Sequence, residues 1–415
     1  MDISFKELLN KSFQYYILQF VNILFPILIV PFIIKKIGIE KYGILAFISS
    51  VIGFFQILID YGFNIYGVKE ISANIRNKKN ISIIFNSIFI IRTVLFVLSI
   101  LFLFLLSLIN NQVKIHLVIY FFSILSIFSS ILYPMFLFQG LEKINFYLFP
   151  NVSVKIFYLM SLILIIQNKN DYWKVPILYS VISIVISIIS IIRVRKLFSI
   201  SFFIPEIDVL IKFIKEGWYY FSSNLAISIY TNSTTFILGI FSNNIIVGVF
   251  NAFEKLISLL QHIVSPFYQT LFPHLTLIVK ESPNRAKLFI KKLSRYLIPL
   301  FILITIIVWA ISKNLLLFIY GKELADINLY FNIFSLKFLF VSVAYLYANL
   351  FLIIFGYREL WQRIILKAFL IFILLSIVFL GFLRLELLGM IISIVLTELF
   401  VLIDSLIKYF KLKDQ

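Results

Sequence analysis

The sequence contains no cysteine, three histidines, and only 19 acidic residues against 37 Lys and Arg. Lack of cysteine excludes disulfides and thiol chemistry, and leaves the redox compartment undetermined. His116, His262 and His274 share no metal-ligand spacing, so no metal site is expected. A Gly-rich phosphate loop, an HExxH pair and a nucleophile triad are all missing, which argues against an enzyme and against a cofactor. Charge is also scarce: 13% of residues are charged and 62% hydrophobic, whereas a soluble domain carries about 25% charged residues. A water-soluble globular domain is thereby excluded.

Apolar stretches of about 20 residues, each able to cross a hydrocarbon core of about 30 Å as a helix, recur along the whole chain. A run such as Thr93 to Leu106, apolar apart from Thr93 and Ser99, has none of the alternation of a membrane β-strand. The expected fold is therefore an all-α integral membrane bundle. About twelve transmembrane helices are predicted, at 12–34, 42–66, 82–109, 115–138, 145–167, 175–193, 217–240, 244–271, 296–318, 327–355, 363–382 and 387–408. The first follows Lys6 and Lys11, has no small-residue cleavage site, and reads as a retained span.

The formal net charge of +18 could suggest nucleic acid, but the basic residues lie in short segments between spans and form no single patch or arm. Groups such as Arg193, Arg195, Lys196 and Lys287, Lys291, Lys292 recur on alternate sides of the spans. By the positive-inside rule these sides are cytoplasmic, together with both termini. Lys35, Lys36 and Lys41, in the first outer turn, run against that assignment locally. The longest predicted loops are 194–216 and 272–295, both cytoplasmic, and the first divides the chain into two six-helix lobes. These are an N-terminal lobe (1–193), a linker (194–216) and a C-terminal lobe (217–415). Gly43 to Phe47 and Gly248 to Phe253 faintly repeat each other at corresponding places, as in transporters built from two related halves.

Polar residues inside spans must face protein or water. At helical spacing they form stripes: Gln19, Asn22 and Pro26 in span 1; Ser49, Gly53, Gln56, Asp60 and Asn64 in span 2; Asn224, Ser228, Thr231 and Thr235 in span 7. Span 8 is the richest, with Asn251, Glu254, Lys255, Ser258, Gln261, His262 and Ser265. Such stripes suit either a hydrated cleft between lobes or interhelical hydrogen bonding. Five cations lie within spans: Arg92, Lys155, Lys255, Lys337 and Lys367, the last near enough to a helix end to snorkel. At mid-depth a charge costs at least about 2.5–3.5 kcal/mol, so each of the other four needs a partner. Asp60, Glu254 and Glu398 could supply it internally, or an anionic ligand could. Arg92, Lys155, Lys255, Lys337, Asp60, Glu254, Asn251 and Gln261 are the candidate substrate-binding residues.

Three segments carry a resemblance: Phe25 to Phe47, Asp60 to Ser72, and Val247 to Leu275 with its Ala-Phe-Glu-Lys core. Across nearly the whole chain the sequence resembles the polysaccharide-export branch of the multidrug/oligosaccharidyl-lipid/polysaccharide exporter superfamily, and specifically the Wzx-type O-antigen flippases. The resemblance implies a MATE/MOP-like fold of twelve spans in two lobes, a bacterial inner-membrane location, and a cationic cavity for polyprenyl-pyrophosphate-linked oligosaccharide. Membrane lipid, a polysaccharide polymerase and assembly proteins are the expected partners; nucleic acid is not. Asp60, Lys69, Glu70, Glu254 and Lys255 fall on recurrent positions of that family. Arg92, Lys155 and Lys337 match no motif and rest on their depth alone. The competing reading is a cation-coupled multidrug exporter of the same superfamily, which would bind organic cations through acids.

Overall fold

The computed structural model describes the backbone of residues 5–412, and the side chains of that stretch apart from residues 5–16, 194, 223, 224, 226–232 and 273. Of the polar stripes, Asn224, Ser228 and Thr231 lie outside the described side chains. Among the described residues there are sixteen α-helices and no strand. They are α1 (Phe5–Ile37), α2 (Ile39–Asp60), α3 (Phe63–Ala73), α4 (Lys78–Ile109), α5 (Asn111–Ile115), α6 (Leu117–Leu132), α7 (Met135–Gly140), α8 (Asn145–Ile165), α9 (Lys174–Phe198), α10 (Ile207–Phe241), α11 (Asn244–Glu281), α12 (Pro283–Ile319), α13 (Lys322–Ala325), α14 (Asn328–Tyr347), α15 (Arg358–Ser376) and α16 (Glu386–Leu412). One-turn π segments, Ala348–Ile353 and Ile377–Phe382, extend α14 and α15.

Eleven helical stretches among the described residues are long and apolar enough to cross a bilayer. The remaining expected span, 217–240, falls in α10, whose middle lies outside the described side chains. Outward-facing Leu101, Phe102, Phe104 and Leu105 of α4 are about half exposed, as lipid-facing side chains are. Polar caps mark the helix starts: the Asn77 side chain accepts from Asn80 N, and that of Asn243 from Ile246 N. Pro26 and Pro31 lie inside α1, which continues as one helix through both.

Two expectations are corrected. Residues 272–295 do not form a long loop: α11 runs to Glu281 and α12 begins at Pro283, with Ser282 alone between them. The Ser282 hydroxyl accepts from Arg285 N and Pro283 occupies the first helical turn, a combination that restarts a helix at once. Ala286, Ile290 and Ser294 then recur every fourth residue on the buried face of α12, so the basic segment is amphipathic and holds a helix. The second correction concerns span 2, predicted as continuous over 42–66. The helix breaks after Asp60, where Tyr61 (φ 44°) and Gly62 (φ 72°) are left-handed, and resumes as α3. A Cβ at Gly62 would stand 2.6 Å from Tyr220 Cβ and 2.7 Å from Phe221 N, so only glycine permits both this turn and the approach of α10.

The chain divides into two compact units, residues 1–233 and 234–415, with the boundary inside α10. In the first unit α6 packs on α9, α2 and α4. A core of Phe63, Tyr66, Phe85, Phe136 and Phe138 forms at the end where α3, α4 and α7 meet. The residues expected as a linker are partly helical, and Phe213 of α10 joins that core. In the second unit α14 is central, packed against α16, α12 and α11. Phe253 of α11 meets Phe331 of α14 edge-on at 5.2 Å between ring centroids.

Candidate functional site

The intramembrane charges divide into paired and unpaired cations. In the first unit Arg92, from α4 and 2% exposed, forms an ion pair with Asp60, the last residue of α2. Its Nε also donates to the Ile59 carbonyl at 3.4 Å. One guanidinium therefore holds both the charge and the backbone end of α2 beside the left-handed turn, a use that suits the planar fork of arginine. Its Nη1 is buried without a hydrogen-bond partner. In the second unit Lys337 of α14 lies 2.6 Å from Glu254 of α11 and 5.5 Å from the centroid of the Phe334 ring. Ser258, one turn along α11, donates to the same Glu254 oxygen at 3.3 Å. Two of the four mid-depth cations are thus neutralised within their own units.

Lys155 and Lys255 are not. Lys255 follows Glu254 on α11, within its electrostatic reach, but forms no salt bridge with any described residue. Asn251 and Gln261 are half-buried on the same helix, and Asn251 has a partner of its own. Glu398 on α16 is buried and likewise engaged. Lys155, on α8, donates to Asn22 Oδ1 of α1 and stands 5.5 Å from the centroid of Phe25. Both contacts leave its charge uncompensated by an acid.

Lys155 also lines a polar cavity of 190 Å³ within the first unit, bounded by α2, α6, α8 and α9. Gln56, Asn151, five serines and the phenols of Tyr133, Tyr147 and Tyr179 complete the polar wall, which includes no Asp or Glu among the described residues. Asn151 Oδ1 is buried there without a hydrogen-bond partner. Gln56, Ser126 and Tyr179 pass directly into a neighbouring cavity of 360 Å³ lined by Ser49, Gly53 and Ser123. Ser49, Gly53 and Gln56 are three of the five residues of the span 2 stripe, and this part of its polar face opens on these cavities, whereas Asp60 and Asn64 do not line them. Hydroxyls and amides around one lysine form a site for an anion bearing further hydrogen-bonding groups. The serines of α6 and α9 were passed over by sequence reasoning. Their three-residue spacing (Ser123, Ser126, Ser129 and Ser180, Ser183) was the available signal.

A model of the polysaccharide biosynthesis protein family matches residues 8–279. The "Putative O-antigen transporter" of Escherichia coli (strain K12) is 25% identical over 276 residues, covering 66% of this chain and 66% of that protein. A protein of the same name from Shigella dysenteriae is 26% identical over 258 residues, covering 61% and 64%. The matched stretch thus spans about two thirds of each relative's length. Among solved structures, the inward-facing conformation of a multidrug resistance MATE family transporter of the MOP superfamily superposes with a TM-score of 0.71 at 13% identity, over 92% of this chain and 91% of that one. A MOP superfamily transporter from Pyrococcus furiosus, whose binding pocket has reverse polarity, superposes with a TM-score of 0.59 at 11% identity, over 96% and 94%. The fold is that of the MOP superfamily, and the chain, matched over more than half its length, belongs to the polysaccharide biosynthesis protein family.

Proposed function

We propose that this chain is a flippase that moves polyprenyl-pyrophosphate-linked oligosaccharide, an O-antigen or capsule repeat unit, from the cytoplasmic to the outer leaflet of the bacterial inner membrane. Both termini lie in the cytoplasm, no covalent chemistry is performed, and a polysaccharide polymerase and assembly proteins take up the product. The observation that carries this reading is Lys155 in a polar cavity with no acid among its described lining residues. A pyrophosphate is anionic and a sugar is rich in hydroxyls, so a route past lipid needs cations together with donors and acceptors. Lys155 and Lys255 supply unneutralised charge; Asn251 and Gln261 supply hydrogen bonds beside the second. Glu254–Lys337 ties α11, which carries Lys255, to α14, and Arg92–Asp60 ties α4 to α2, whose Gln56 lines the Lys155 cavity.

A cation-coupled multidrug exporter would need free intramembrane acids. Asp60 and Glu254 are already engaged by Arg92 and Lys337, which favours the anionic substrate. The deciding experiment expresses the chain in a host lacking its own flippase. Wild type is expected to restore surface polysaccharide, and Lys155→Ala to restore none at equal membrane abundance. Drug resistance on overexpression with unchanged surface polysaccharide would overturn the reading.

A further inference from the structure

A groove of 540 Å³ opens on the first unit between α8 and α9, beside the cavity around Lys155. Its walls are largely apolar, with Ser153 and Ser190 among the hydrocarbon: Phe149, Phe157 and Ile189 line it and are 70%, 56% and 63% exposed. Its polar end holds Arg193 and Asn145. Arg193 is exposed, lies within electrostatic reach of the Tyr133 hydroxyl, and forms no salt bridge with any described residue. With Arg195 and Lys196 it belongs to the basic end of α9, the end assigned to the cytoplasm by its charge. The groove also adjoins the Lys155 cavity: Tyr133, Pro150 and Ile186 line both. From Asn145 to Lys155 is ten residues of α8, or about 15 Å of helix rise. A cation on α9 at the membrane surface, a largely apolar lateral wall, and a second cation deeper along the neighbouring α8 match an amphiphile with an anionic head and a hydrocarbon chain.

We propose that this groove takes up the lipid end of the substrate. The carrier's phosphate is held at Arg193 and its hydrocarbon chain lies along Phe149, Phe157 and Ile189, so that the head group meets Lys155 next. This rests on the flippase reading and adds to it the side by which the carrier reaches the protein. The charge at one end selects a lipid phosphate over an uncharged prenol, and the lateral opening lets the chain remain in the bilayer.

The test uses the full chain in lipid nanodiscs and a polyprenyl monophosphate bearing a photoreactive group on its hydrocarbon chain, with cross-links mapped by mass spectrometry. Cross-links are expected on α8 and α9. Arg193→Gln should lower labelling about tenfold, the effect of losing one hydrogen bond to a charged group, with an unchanged melting temperature. Unlabelled polyprenyl phosphate should compete, whereas polyprenol, phosphatidylglycerol and inorganic phosphate at equal concentration should not. Equal competition by phosphatidylglycerol would make the groove a general anionic-lipid site, and by inorganic phosphate a bare anion site; either overturns the proposal. Labelling confined to other helices, or unaffected by Arg193→Gln, does so too. If Arg193→Gln melts lower, Phe149→Ser serves as the second variant, with the same expected loss. Export is not read in this assay, so failure of the flippase reading would show in surface polysaccharide and failure of the groove in the cross-links.

Discussion

Glu254 on α11 receives the ammonium of Lys337 on α14 at 2.6 Å, across 83 residues of sequence. The two side chains are 23% and 14% exposed, so neither charge is fully solvated and each serves as the other's compensation.

Glu254→Gln should lower stability by about 1–3 kcal/mol, because Lys337 keeps its charge in a partly buried site without a counter-ion. Glu254→Gln with Lys337→Met should recover part of that loss, since the unpaired charge is gone. Melting of the purified protein in detergent measures both. Export in inverted vesicles gives the functional arm: the pair predicts residual export by Glu254→Gln. An inactive but stably folded Glu254→Gln, in a system whose wild-type export stops with an uncoupler, would instead make Glu254 a proton carrier.

Arg92→Ala should cost about 3–5 kcal/mol, the range for a buried pair that loses one member, because Asp60 is left beside the α2–α3 turn without its cation. Arg92→Lys should rescue only in part, since one ammonium cannot reproduce a guanidinium contacting both Asp60 and the Ile59 carbonyl. Thermal melting of the two variants side by side decides it; full rescue by lysine would show that charge alone suffices.

Gly62→Ala places a methyl group 2.6 Å from Tyr220 Cβ at a φ of 72°. Overpacking of this kind costs about 1–3 kcal/mol, so the variant should melt lower while Gly321→Ala, with open space around its Cβ position, loses only the backbone contribution.

Lys255→Ala should reduce surface polysaccharide with normal insertion, and Lys155→Ala with Lys255→Ala should abolish it. Wild-type export by that double variant would contradict an anion-binding role for the two cations.

His116 caps the turn between α5 and α6, one residue before the apolar stretch that begins at Leu117 rather than inside it as the predicted bounds 115–138 place it, with its Nδ1 buried and Tyr172 edge-on at 6.4 Å. Burial first, and then the nearby Lys41, push its pKa below the usual value. The folded state therefore takes up the proton less readily than the unfolded chain. The stability this contributes is present above the unfolded value of about 6.5, and is lost as pH falls from there through the folded value. Between about pH 7.5 and about pH 5, wild type should lose more melting temperature than His116→Gln.

Sequence alone determined the membrane class and the placement of most helices, because hydrocarbon demands about 20 apolar residues for each crossing whatever the tertiary context. Turn chemistry inside a span was less readable. Tyr61-Gly62 looks like span until α10 is brought against it, and the basic run after Glu281 looks like loop until its buried face is seen. The cost of burying Arg92, Lys155, Lys255 and Lys337 could be read from their depth, and Asp60, Glu254 and Glu398 could be named as possible counter-charges, but not which cation meets which acid. Asp60 is 32 residues from Arg92 and Glu254 is 83 from Lys337, and only helix packing brings such distant side chains together. The same packing distinguishes Lys155 from the neutralised cations, by closing α2, α6, α8 and α9 around it with serines, amides and phenols in place of an acid.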